Sequence, residues 1–482
     1  MAEQSLKDKT VKGTFWSAAD AFLGQGVTFI VGLVLARLLT PEEYGLVGIV
    51  LIFTTILSGV VDCGFSNALI RKKDTTNDDY NVMFIVNMAI SIVLFTALFI
   101  GAPSIAEFFS RPELVPLMRT TGLVLIFQAL SITQTTILTK QIDFKTKTKA
   151  SVASAVISGI IGITMAYMGY GVWALVGQRL SVTLIYTLCM WALIRWCPKL
   201  KFNKESFHYM WGFGWKLMLS GILNNIWNQL YPLVVGKFYS PSSLGQYTRS
   251  EQYASIFSMN LTTIIQRVSY PVLSEIQDDK ERMVAGYRKI IKLTMFVTAI
   301  LMFFIAAISE PFIYCLIGPQ WHEAATYLPL ISINMSLYPL HAINLNMLQV
   351  QSRSDIFLYI EIIKKFISIG PLCLGIFIGI RCMLISSILT GIISFFINSY
   401  YTGKKLNYSS WKQLQDIIPD YAIATTIALS VYFLKYLPLS YFIIFPLQIG
   451  IGIIVFFLIC ETTKIQEYFE LKVISKKTLV KL

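Results

Sequence analysis

The sequence predicts an all-α, polytopic integral membrane protein of about fourteen transmembrane helices. Two parallel six-helix lobes are expected, with two further helices at the C-terminus. Three observations carry this. Hydrophobic residues make up 55% of the 482-residue chain and charged residues only 14%; the mean hydropathy of +0.63 lies outside the range of a soluble domain. The apolar residues gather into fourteen stretches close to the twenty or so residues that cross a bilayer. The chain also echoes itself at a spacing of 200 residues: Arg37-Leu38-Leu39-Thr40-Pro41-Glu42-Glu43-Tyr44-Gly45 returns as Lys237-Phe238-Tyr239-Ser240-Pro241-Ser242-Ser243-Leu244-Gly245. Cation, hydroxyl, proline and glycine recur at the same offsets, each time on the turn between two apolar stretches. Repeats of this kind build transporters with a site between two halves.

The first lobe is read from spans at 14–39, 44–70, 81–103, 115–139, 150–169 and 172–194, and the second from spans at 211–236, 243–266, 293–312, 325–350, 355–379 and 382–402. Spans at 417–434 and 440–460 have no counterpart in the repeat and read as an appendage. Domains follow: a basic N-terminal segment 1–13, in which residues 5–13 could form a short surface helix, an N-lobe 14–196, a linker 197–210, a C-lobe 211–402, a loop with the last two spans 403–460, and a basic tail 461–482. Each repeat holds an even number of spans, so both begin on one side and the repeats are parallel. The connections are short and leave no room for a soluble catalytic domain. Lys7, Lys9 and Lys12 precede a first span too long for a signal-peptide core, so a cleavable signal is not expected.

Loop charge sets the orientation. Of 40 Lys and Arg residues, 29 fall in loops on the side of the N-terminus and 4 (Arg111, Lys237, Arg381 and Lys435) in loops on the other. The positive-inside rule places both termini in the cytoplasm. The net charge of +13 is thereby assigned to anionic membrane lipid at the inner leaflet, and nucleic acid is not expected as a partner. The seven cysteines are scattered, with no C-x-x-C pair, and read as apolar packing residues. Three dispersed histidines do not suggest a metal site. No Walker, G-x-S-x-G or H-E-x-x-H pattern occurs, so neither nucleotide hydrolysis nor a catalytic residue is expected.

Phe15-Trp16, the run from Leu35 to Gly45, Gly64-Phe65-Ser66-Asn67-Ala68-Leu69-Ile70, Arg71-Lys72-Lys73 and Gln141-Ile142-Asp143-Phe144-Lys145 together resemble the Wzx-type oligosaccharide flippases. These form the polysaccharide-transport branch of the multidrug/oligosaccharidyl-lipid/polysaccharide (MATE-like) exporter superfamily. The motifs concentrate in the first 150 residues, and the fourteen-span layout extends the likeness over nearly the whole chain. The resemblance implies a V-shaped pair of lobes around a cavity that opens alternately to either side of the cell inner membrane. The implied cargo is an undecaprenyl-pyrophosphate-linked oligosaccharide for lipopolysaccharide O-antigen, capsule or exopolysaccharide. A polysaccharide polymerase and a chain-length regulator are the implied partners. The alternatives are a multidrug or metabolite exporter of the same fold, coupled to H+ or Na+, and a membrane-embedded polysaccharide polymerase. The exporters usually bind cations and have twelve spans; the polymerase would need a long external loop with catalytic residues.

A pyrophosphate and a glycan need a water-accessible path with cationic and hydrogen-bonding walls. A lysine or arginine at mid-bilayer costs about 2.5–3.5 kcal/mol, so such groups face a cavity or a partner. Arg37 lies near a span end and can snorkel. The cavity candidates are Lys216, Arg119, Arg179, Arg249, Lys364 and Lys365. For Lys216 the alternative is snorkelling, and for Arg119 and Arg179 a local pair. Lys364 and Lys365 lie deepest, where Glu361 at i,i+3 and i,i+4 can pair with one but not fully with both. Asn225, Asn228 and Gln229 share a face of span seven, and Gln25 sits opposite Asn225 in the repeat, making a polar seam that serves glycan contact, interhelical hydrogen bonding or both. No cofactor is expected beyond a coupling H+ or Na+, for which Asp20, Asp62 and Glu251 are candidates, a structural pair with a nearby cation being the alternative.

Overall fold

The computed structural model describes Trp16 and residues 23–479, apart from Gln277 and Ser352; Asp20 and the basic segment 1–13 lie outside the described residues. All regular elements among the described residues are helical. Nine helical segments among them are long and apolar enough to cross a membrane, and a shorter apolar helix, α1, spans Leu23–Leu38. The chain divides into two compact units, Met1–Gly245 and Gln246–Leu482.

In the first unit α1 is followed by α2 (Pro41–Val61), α3 (Phe65–Arg71), α4 (Asn77–Phe108), α5 (Leu114–Thr121), α6 (Leu123–Gln141), α7 (Phe144–Tyr167), α8 (Val172–Leu193), α9 (Lys204–Asn228) and α10 (Leu230–Phe238), and then the first residues of α11 (Pro241–Glu275). The turn chemistry of the repeated motif decides where helices begin. Thr40 caps α2 in a capping box: its hydroxyl accepts from the Glu43 amide at 3.3 Å, and its own amide donates to the Glu43 carboxylate at 2.7 Å. Pro41 follows at the first helical position, where a missing N–H costs nothing. At the repeat, the Ser240 hydroxyl accepts from the Ser243 amide at 3.1 Å.

Several sequence-predicted spans are broken rather than continuous. Residues 44–70 divide into α2 and α3 at a turn where Cys63 has φ +51° and Gly64 φ +72°. A left-handed pair ends a helix however apolar its neighbours are. Residues 211–236 divide at Gln229, because Pro232 has no hydrogen to donate to the carbonyl of Asn228. The core of this unit gathers Cys63, Phe65 and Leu69 with Val82 and Met83 of α4 and Met210 of α9. Trp191 on α8 donates to the Leu130 carbonyl on α6 at 2.9 Å.

The second unit continues α11 and adds α12 (Lys280–Ala307), α13 (Ser309–Leu316), α14 (His322–Ser336), α15 (Tyr338–Val350), α16 (Ser354–Phe377), α17 (Ile380–Leu406), α18 (Ser410–Tyr432), α19 (Tyr441–Thr463) and α20 (Gln466–Leu479). The predicted span 325–350 is broken into α14 and α15 ahead of Pro339. The Met335 carbonyl, which Pro339 cannot serve, accepts from the Ser258 hydroxyl at 2.7 Å.

Read as an appendage, the span at 417–434 is instead part of the unit's core. Within α18, Ile417, Ala424 and Ile427 are buried, and the helix packs along α12. Polar bonds fix it there. Arg288 of α12 grips Asp416 with two bonds of 2.5 Å, and the Tyr408 hydroxyl donates to the same carboxylate at 2.7 Å. Asn344 of α15 accepts from Tyr287 at 2.7 Å and Thr402 at 2.8 Å and donates to Gln413 of α18 at 3.3 Å. A buried network satisfied at this many points sets one packing arrangement of the helices that carry it.

Candidate transport pathway

The polar seam on α9 lies where that helix meets α2. Asn225 is half-buried against Gly59: a Cβ added at Gly59 would fall 2.3 Å from the Asn225 side-chain nitrogen. Half-buried Gln229 occupies the break between α9 and α10, next to the exposed Asn228. The seam therefore coincides with an interruption of the helix, where backbone carbonyls as well as side chains become available to a ligand. Gln25, at the repeat position of Asn225, is exposed on α1.

Above and below this seam the backbones meet directly. A Cβ at Gly45 would stand 1.7 Å from the Pro241 carbonyl oxygen, and one at Gly245 would stand 2.0 Å from the Pro41 oxygen. The two copies of the repeated motif thus clasp each other reciprocally, proline carbonyl against glycine. At the opposite end of the α2–α3 segment, a Cβ at Gly64 would lie 2.6 Å from the Gly214 oxygen and one at Gly214 2.5 Å from the Cys63 oxygen. Only glycine permits either approach.

Asp62 stands at the C-terminus of α2, half-buried. Its carboxylate accepts from the Ser66 hydroxyl at 2.6 Å and the Ser66 amide at 3.2 Å, and the same hydroxyl lies 2.8 Å from Thr136 on α6. Sequence reasoning singled out the acid and missed Ser66 and Thr136. A separation of 70 positions between those two gives no local signal. Nearby on α4, Asn87 is fully buried with neither side-chain amide atom hydrogen-bonded.

The cations separate by partner. Arg119 donates to the Phe99 carbonyl at 3.3 Å with its guanidinium 4.3 Å from the Phe99 ring centre. Lys216 is exposed, with its ammonium 5.9 Å from the Trp215 ring, and Arg179 is exposed on α8. In the second unit, half-buried Arg249 donates to the Gln252 side chain at 2.5 Å, with Glu251 half-buried beside it. Lys364 pairs with Glu361, and Lys365 is half-buried beside it. Arg249 lies on α11 and the two lysines on α16. No group of three or more His, Cys, Asp or Glu side chains among the described residues could hold a metal ion.

Residues 34–326 match the model of a family described as polysaccharide biosynthesis protein. The succinoglycan biosynthesis transport protein ExoT of Rhizobium meliloti is 25% identical over 69% of this chain and 68% of its own length. The lipopolysaccharide biosynthesis protein WzxC of Escherichia coli is 23% identical over 88% of each chain. Among solved structures, the lipid II flippase MurJ in an inward closed conformation superposes with a TM-score of 0.71 at 17% identity. That match covers 94% of this chain and 98% of MurJ. The chain therefore shares the fold of that structure.

Proposed function

The chain belongs to the polysaccharide biosynthesis protein family, and from that premise we propose that it is a flippase. Its cargo in this reading is a polyprenyl-pyrophosphate-linked oligosaccharide, moved across the inner membrane by alternating access. The observation that carries the reading is that the family match runs over residues 34–326, a stretch that holds six of the nine helical segments among the described residues that are long and apolar enough to cross a membrane. A relative of similar length and coverage is itself named a transport protein. The loop-charge asymmetry supports cytoplasmic termini.

The prenyl tail stays in lipid while the head group crosses through the polar path. Arg249, Lys364 and Lys365 hold the pyrophosphate, with Lys216, Arg119 and Arg179 as outlying cations. The α9 seam of Asn225, Asn228 and Gln229, with Gln25, contacts the glycan. Asp62 is the coupling acid among the described residues that a hydrogen-bonded chain best supports, with Glu251 the candidate in the second unit and Asp20 in the first span. A polymerase and a chain-length regulator receive the exported unit.

Deleting the gene in a strain with no redundant flippase tests the function. Surface glycan should disappear and lipid-linked repeat units should accumulate on the cytoplasmic side. Normal surface glycan in that strain would refute the reading.

A further inference from the structure

Within the second unit, two adjoining hollows run along α12 beneath the tail helix α20. The first is a cavity of about 860 Å³ at the start of α12, walled by Lys280, Glu281, Arg288 (itself paired with Asp416), Lys289 and Lys292, by the turn at Asn407, and by Glu467 and Glu470 of α20. The second, one turn further along α12, is an apolar groove of about 260 Å³ lined by Phe296, Ile300, Phe304, Gly452, Ile453 and Phe456, with Leu471 of α20 at its edge. A Cβ at Gly452 would stand 2.4 Å from the Phe304 ring, so this glycine lets the ring lie against α19 and shapes the groove. From Phe296 to Phe304 the groove descends about 12 Å, at 1.5 Å per residue. That is close to the depth of one leaflet of a hydrocarbon core about 30 Å thick. A polar chamber at the start of α12 thus stands about one helical turn from an apolar slot of leaflet depth.

The chamber is not simply cationic. Lys289 pairs with Glu470 at 2.8 Å and Lys292 with Glu467 at 2.5 Å, while exposed Lys280 and Glu281 stand side by side. A lone anion placed there would meet three carboxylates. A head group carrying a phosphodiester and a primary ammonium can answer both signs at once, its ammonium offering three N–H donors to carboxylates. We propose that this surface binds one zwitterionic aminophospholipid, of the phosphatidylethanolamine class. Its head group lies in the α12–α20 chamber and one acyl chain in the groove between α12 and α19. The site uses none of the side chains assigned above to the cargo, so it can fail or stand without the flippase reading.

Native mass spectrometry of the full chain, purified and titrated with phosphatidylethanolamine, phosphatidylcholine or phosphatidylglycerol, tests it. Phosphatidylethanolamine should bind about tenfold more tightly than either of the others, because choline has no N–H to give and phosphatidylglycerol no cation. Lys280 and Glu281 are exposed and Ile453 is 51% exposed, so substitutions at these positions leave packing intact, as an unchanged melting temperature will report. The double substitution Lys280→Ala/Glu281→Ala should bring the preference down to about twofold. Ile453→Trp, which fills the slot, should weaken all three lipids together. Equal affinity for phosphatidylethanolamine and phosphatidylcholine, stronger binding of phosphatidylglycerol, or wild-type binding by both variants would each overturn the assignment.

Discussion

Single residues account for the echo in the sequence. Gly45 and Gly245 recur at a spacing of 200 because each must let the other motif's proline carbonyl approach, to 1.7 and 2.0 Å from where a Cβ would sit. Gly45→Ala should therefore destabilise the protein by about 1–3 kcal/mol, the usual cost of overpacking. Gly101, inside α4 with nothing within 4 Å of its added Cβ, is the control: Gly101→Ala should be neutral or stabilising by about 0.5–1 kcal/mol. Thermal melting in detergent separates the two, and equal effects would contradict the clasp. Arg249 tests the cargo site. Its guanidinium donates to the Gln252 side chain, a bond that glutamine can in part keep, so Arg249→Gln should lower transport by about tenfold or more at near-normal abundance. Lys364 and Lys365 are to be changed singly, since removing both leaves Glu361 uncompensated. Wild-type transport in all three variants would make these charges structural. Asp62 was legible in the sequence because an acid in an apolar run stands out; Ser66 and Thr136, which hold it, were not, because small hydroxyl residues are common in membrane helices.

At the scale of helices, hydropathy located the apolar runs but not their interruptions. Cys63-Gly64, Gln229 and Leu337 each break a run that is continuous in composition, because a left-handed turn or a proline two or three residues on acts on backbone hydrogen bonds, which hydropathy does not register. The place of α18 was also illegible. Its partners, Arg288 for Asp416 and Asn344 for Gln413, lie 128 and 69 residues away. The tail helix α20 is held to α12 by charge. Lys289 beside Glu470 holds that carboxyl below its usual range by hydrogen bonding. A carboxyl whose folded pKa is depressed contributes stability above its unfolded pKa, about 4.3 for Glu, and that contribution is lost as pH falls through the lower folded value. Docking of α20 should thus be constant from pH 8 to about 6 and fail only under acid. A spin label at exposed position 473 should gain mobility there. Lys289→Glu should release α20 at neutral pH, and adding Glu470→Lys should restore it; an immobile label in the single variant would show that apolar contacts suffice.

The whole molecule tests the topology that the loop charges imply. Gly45 meets Pro241 and Gly245 meets Pro41, so the starts of α2 and α11 must lie on one side of the membrane. Lys140 donates to the Leu69 carbonyl at 3.0 Å and also reaches the Lys72 carbonyl, which places the ends of α3 and α6 together on one side as well. These two constraints come from contacts alone, and they agree with the partition of basic residues into one set of loops. By the positive-inside rule the partition predicts the sign, with the α2 and α11 starts outside and the basic ends inside. Position 42, whose side chain is 58% exposed in its 3.6 Å contact with Arg111, and position 243 are suitable reporters. Native Cys197 and Cys373 are exposed, so the single-cysteine variants Glu42→Cys and Ser243→Cys belong in a background without other cysteines. A membrane-impermeant maleimide applied to intact cells should label both, whereas a cysteine at Lys73 should be labelled only after permeabilisation. Opposite accessibility at 42 and 243 would break the reciprocal clasp as well as the parallel repeat, whereas labelling of 73 from outside with 42 and 243 protected would invert the orientation and leave the fold intact.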